Sequence, residues 1–242
     1  RSSGAGGTHV DTTASAVRVE PGDDARALIP RLSRLRLVES NFPVFGDGRG
    51  YSAARILREA GYGVFALTLR GHGGSAGREH IDWHSINDYV DDVCAVVDWL
   101  GETPVLVGRS MGGFVVQKCL EKHDAAGAAL LCSVPPQGLI AAQFHLLFQK
   151  PQLFLEINRI MGGEYTDTTT LQEALFAGEV DQRMLAAWLT RMQAESHRAI
   201  WDMSMFNLPN LHQMNRPPML IVGAEHDVLV PAFLVQTTAL SY

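Results

Sequence analysis

The residues best placed to do chemistry are Gly108-Arg109-Ser110-Met111-Gly112, followed by Gly113. A short apolar run, Thr103 to Val107, precedes them, and a helical stretch, Met111 to Lys122, follows. G-x-S-x-G between a strand and a helix holds its serine in a tight, strained turn. Glycines two residues to either side are needed because side chains there would meet the neighbouring strand and helix. The turn exposes the Ser110 hydroxyl at a helix N-terminus, as a nucleophile. It also aims the backbone N–H of Met111 at the point where an oxyanion would form.

A turn of this kind needs a parallel sheet to carry it. Ser52 to Ala60 has helical periodicity and ends at Gly61, a residue suited to a helix C-cap. Gly63 to Leu69 is a continuous apolar run, as in a strand buried on both faces. Ile86 to Leu100 is an amphipathic helix with Val90, Val93, Val97 and Leu100 on one face. Ala128 to Val134 and Pro217 to Val222 read as further strands, and Phe233 to Tyr242 as a helix. Strands alternating with helices imply parallel βαβ units in an α/β fold. Residues 41–136 and 214–242 form two parts of one core. Residues 137–213, rich in Leu, Phe, Met and Gln at helical spacing, form an all-helical insertion between them. Residues 1–40 are poorly defined; Leu32 to Val38 reads as either a weak strand or a short helix. Ligands of such sheets bind at the carboxyl ends of the strands, here just after Leu69, Val107, Val134 and Gly223.

Composition narrows the function. The chain has 242 residues, 46% of them apolar, and a net charge of -6. That suffices for one large domain with a modest insertion. No Lys/Arg stripe suggests nucleic acid; the densest basic cluster, Arg31 to Arg36, reads as a solvated face. Cys94, Cys119 and Cys132 are widely spaced with no CxxC pair, which argues against a cysteine zinc site. Their apolar settings suit reduced, buried thiols in a cytoplasmic protein. No metal and no organic cofactor is implied, and no apolar run is long enough for a membrane span.

The segments GYGVFALTLRGHGGSAG (61–77), PVLVGRSMGGFVVQKCLE (104–121), ALLCSVPP (129–136) and PPMLIVGAEHDVLVP (217–231) together resemble the α/β-hydrolase superfamily. The chain looks most like its lysophospholipase- and monoacylglycerol-lipase-like serine esterases. The resemblance implies a mostly parallel, doubly wound sheet with a helical cap. It assigns Ser110 as nucleophile, the Met111 amide as first oxyanion donor, and Asp227 as the acid that orients a catalytic histidine. The alternative for Asp227 is a helix N-cap near Pro231. Glu225 and His226 are expected to be structural.

Two features depart from the family pattern. No histidine occurs after Asp227, so the expected base, last strand and closing helix would lie beyond Tyr242, and the sheet would be left with an open edge. The His-Gly pair that usually precedes the second oxyanion donor is also absent. Spacing back from Gly61 puts that donor at the amide of Phe42. The remaining histidines, His72 and His145 among them, read as structural. The implied activity is cleavage of a small-molecule ester or acyl substrate. The apolar residues of the insertion, such as Phe144, Phe154 and Ile157, either receive that acyl group or pack as the insertion's own core. The contrasting expectation is a non-catalytic member of the fold that binds a ligand. An aspartate-nucleophile dehalogenase is disfavoured by Ser110; a perhydrolase side reaction would depend on it.

Overall fold

The computed structural model describes residues 16–18, 36–40, 57, 59–164, 168–176, 178–189 and 193–242. Among them six strands form one sheet: β1 (Ala16–Arg18), β2 (Arg36–Ser40), β3 (Gly63–Leu67), β4 (Val105–Arg109), β5 (Gly127–Leu131) and β6 (Met219–Ala224). Their order is β1-β6-β5-β4-β2-β3, and every pairing is parallel except that of β1 with β6. The arginine-rich stretch before Ser40 is therefore partly strand. The expected open edge beside β6 carries β1 along Val222 to Ala224.

The helices follow the periodicity of the sequence. Helix α1 (Ile86–Leu100) buries Ile86, Tyr89, Val90, Val93, Cys94 and Val97, one stripe at spacings of three and four. It begins at a capping box in which Ser85 accepts from the Asp88 amide and Asp88 from that of Ser85. Its C-cap, Gly101, is left-handed. Arg70, in the loop after β3, reaches across to α1 with paired bonds to Asp92 (2.6 and 3.0 Å) and one to Asp88 (3.0 Å). Helix α2 (Met111–Cys119) is almost wholly buried. Leu57 and Glu59 are helical, and the Tyr62 amide closes back on the Leu57 carbonyl (3.1 Å) around left-handed Gly61.

Alternate residues of a strand point to opposite faces, and β3 and β4 contribute side chains to clusters on both. Leu106, Leu130 and Ile221 join α1 and α2 in the main core, while Val64, Val105 and Val107 pack with Leu57, Tyr62 and Ala126. One expectation is corrected. β3 is not buried on both faces but lies at the end of the strand order, with Gly63 and Ala66 exposed. A run of apolar residues carries no mark of whether a strand is central or terminal.

Between β5 and β6 the chain is helical: α3 (Ile140–Gln149), α4 (Pro151–Met161), α5 (Thr168–Leu175), α6 (Gln182–Leu189) and α7 (His197–Trp201), which runs into a π-helical turn, Asp202–Phe206. No strand occurs among its described residues. Helix α8 (Ala232–Ser241) follows β6. Among the described residues no helix is long and apolar enough to cross a membrane.

Candidate active site

β4 ends at Arg109 and α2 begins at Met111, so Ser110 must turn the chain in a single residue. It does so at φ 50°, ψ -121°, a conformation L-residues rarely adopt. Hydrogen bonds hold it there. The Ser110 amide donates to Leu131 O (3.1 Å), and its carbonyl accepts from Gly113, Phe114 and Val134 (3.1, 3.3 and 3.2 Å). A Cβ on Gly108 would strike the Gly112 carbonyl and come 2.6 Å from Gly113 Cα. A Cβ on Gly113 would strike the Ser133 side chain, with Ser133 Cβ at 2.5 Å. Gly113 thus has a steric role that the five-residue motif did not express. As the first residue of α2, Met111 carries an amide with no intrahelical acceptor.

Buried Gln117, two turns along α2, braces the turn from behind. Its side-chain nitrogen donates to Ser133 Oγ (2.9 Å) and Val134 O (2.8 Å), and its oxygen accepts from Tyr242 (2.8 Å).

Ser110, Arg109 and Met111 form the floor of a cavity of about 200 Å³. Its walls are mostly apolar: Val134, Leu139, Leu146, Phe154, Ile157 and Met203 among them. The helical insertion supplies most of this lining. Among the described residues no histidine borders it.

Asp227 lies in the turn after β6. Its Oδ1 accepts from the amides of Leu229 (2.8 Å) and Val230 (2.9 Å). The carboxylate therefore braces its own turn, whereas the N-cap of α8 is Pro231, with no side-chain cap. Asp227 borders a smaller cavity, about 130 Å³, shared with Arg109 and Cys132. It also borders an open cleft of about 540 Å³ with His145, Lys150, Glu225 and His226. Glu225 and His226, expected to be structural, share this cleft. The Ser110 cavity and the Asp227 cleft meet at Leu146, and the cavity and the smaller pocket at Arg109 and Leu229. Cys132 sits at φ 44° where β5 ends, and burial pushes its pKa up, with the Asp227 charge adding to the rise. Phe42 lies outside the described residues.

Sequence reading missed the group that fastens the insertion to the core. Glu195, a wall residue of the Ser110 cavity, accepts from Tyr89 OH (3.0 Å) and the Ser196 amide (2.8 Å) and pairs with His72 Nε2 (3.3 Å). His72 Nδ1 lies 3.0 Å from Arg70 O. Burial opposes the charged form of His72, but hydrogen bonding and attraction to Glu195 outweigh it, and its pKa is raised. Nearby, Gln193 accepts from the Gly73 amide (3.0 Å), His197 meets Asp82 (2.7 Å), and buried Asp202 accepts from the Ile86 amide (3.1 Å). More than a hundred residues separate most of these partners, so no local pattern announces them. Among the described residues no group of three or more His, Cys, Asp or Glu could hold a metal.

Residues 42–241 match the alpha/beta hydrolase family. The chain belongs to that family. Among curated proteins no significant match is found. Solved structures share the hydrolase fold at low identity. An extracellular alpha/beta-hydrolase from a Paenibacillus species superposes with a TM-score of 0.62 at 15% identity, covering 86% of this chain and 86% of that one. Rv0554 from Mycobacterium tuberculosis gives 0.60 at 19% identity, covering 86% and 78%. The esterase EaEST from Exiguobacterium antarcticum gives 0.57 at 17% identity, covering 84% and 78%. At these identities the likeness establishes the hydrolase fold and not a shared substrate.

Proposed function

We propose that this alpha/beta hydrolase is a serine esterase acting on small-molecule esters with an apolar acyl group. Ser110 attacks the ester carbonyl, and the Met111 amide, with that of Phe42, stabilises the oxyanion. Asp227 orients the imidazole that takes the Ser110 proton and later returns it to the leaving alcohol. The observation that carries this reading is the conformation of Ser110: a strained serine, between glycines that admit no side chain, opening into an apolar cavity. The acyl group occupies that cavity, beneath the helical insertion acting as a lid. The polar cleft beside Asp227 receives the alcohol portion. A lysophospholipase- or monoacylglycerol-lipase-like substrate, an apolar acyl chain on a polar alcohol, suits this division.

The test is labelling with a fluorophosphonate probe, read by peptide mass spectrometry. Rapid labelling at Ser110, absent in Ser110→Ala, is the expected result. A well-folded protein that carries its histidine base and stays unlabelled would refute the esterase reading.

One observation favours a second reading. Among the described residues no histidine borders the Ser110 cavity. A fold member without a base beside its serine binds an apolar ligand and does not turn it over. Tight binding of a fatty acid together with an unlabelled Ser110 would support it.

A further inference from the structure

Helices α1 and α2 pack against each other in the main core, and each contributes a cysteine to the contact. Cys94 and Cys119 face one another with their sulfurs 3.3 Å apart. Both are free thiols; Cys94 is 6% exposed and Cys119 fully buried. Neither borders the Ser110 cavity nor the Asp227 cleft, so the chemistry proposed above uses neither.

A disulfide places its sulfurs about 2.05 Å apart, so closing this contact takes about 1.3 Å of movement. That is on the scale of side-chain torsions. The hydrogen bond to Cys94 and burial push the Cys119 thiol up. Cys94 is the more exposed of the pair and the one an oxidant reaches first.

We propose that Cys94 and Cys119 are an oxidative modification site, closed to an intramolecular disulfide by an oxidant of the hydrogen peroxide class. The Cys94 thiolate attacks one peroxide oxygen; the O–O bond breaks, a sulfenic acid forms, and the departing hydroxide takes up the proton Cys94 released on ionising, leaving as water. Cys119 then attacks the sulfenic sulfur. The S–S bond forms, the S–O bond breaks, and the Cys119 proton leaves with the departing hydroxide as a second water. The sulfurs lose two electrons in all, and the peroxide takes them. The link joins residues 25 apart in sequence, and the segment between them contains β4 and Ser110. It staples α1 to α2 behind the candidate nucleophile and does not depend on what Ser110 does.

The full chain is exposed to hydrogen peroxide, quenched, alkylated with iodoacetamide and mapped without reduction. The expected result is a Cys94–Cys119 cross-linked peptide pair, a mass loss of about 2 Da for that pair, and Cys132 alkylated. Dithiothreitol should reverse the link. The oxidised chain should melt roughly 5–15 °C higher than the reduced one, as expected for closure of a loop of this size. Cys94→Ser should fold, melt like the reduced chain and give no cross-link. Sulfinic acid at either position without a cross-link, a pairing that involves Cys132, or recovery of both thiols unreacted would overturn the proposal.

Discussion

Ser110 keeps its φ of 50° because backbone partners hold both its amide and its carbonyl. The glycines around it leave room for that arrangement and no more. At Gly108 an added Cβ meets only backbone, which cannot rotate away. Gly108→Ala should therefore cost about 1–3 kcal/mol, read as a lower urea midpoint, and should slow fluorophosphonate labelling of Ser110. Gln117 acts at one remove, through Ser133 and Val134. Replacing it with leucine strands buried polar groups, a loss of about 1–3 kcal/mol. The check is a denaturant titration with the slope unchanged, which separates lost stability from a changed unfolded state.

At the scale of elements, α1 is set by its N-terminus. Ser85 and Asp88 satisfy each other's amides, and Asp202 reaches over from the insertion to the Ile86 amide. Ser85→Ala should lower stability by about 1 kcal/mol, measured by thermal or urea unfolding. The insertion is joined to the loop after β3 through His72 and Glu195. The folded state raises the His72 pKa, so its stabilisation is complete below the unfolded histidine value, about 6.5, and is lost as pH rises through the folded value. Hydrogen exchange of the amides at 193–196, corrected for intrinsic rates, should thus speed up as pH rises above about 6.5. Glu195→Gln should flatten that dependence. An unchanged pH response in the variant would remove His72 from the connection.

At the scale of the molecule, the sheet supplies a floor and the insertion a roof. The cavity between them takes Ser110 and Met111 from β4–α2 and its apolar walls largely from α3, α4, α5 and α7. If an acyl group lies there, its permitted length is set by side chains far from Ser110 in sequence. Ile157→Phe, on α4, should reduce labelling by a long-chain alkyl fluorophosphonate about tenfold or more while sparing a short-chain one. Equal labelling by both probes would place the acyl group elsewhere.

Some of this was legible from local sequence. The period of α1, the strand–turn–helix setting of Ser110 and the turn bearing Asp227 each follow from neighbouring residues, and a backbone responds to its neighbours first. Strand limits drifted by two or three residues: the apolar runs of β3 and β5 extend past the last paired residue, while β4 begins and ends two residues later than its run. The positions of the strands in the sheet were not legible. Nothing in Gly63 to Leu67 marks an edge strand, and nothing in Ala16 to Arg18 marks a partner for β6. The same holds for Glu195 with His72 and Tyr89, for Cys94 with Cys119, and for the meeting of cavity and cleft at Leu146. Sequence by itself determined the class of the fold and the candidate nucleophile, since both rest on short-range periodicity and steric demand. Only the tertiary structure decided which distant side chains share a wall or a contact, because those pairings depend on how packed layers superpose residues far apart along the chain.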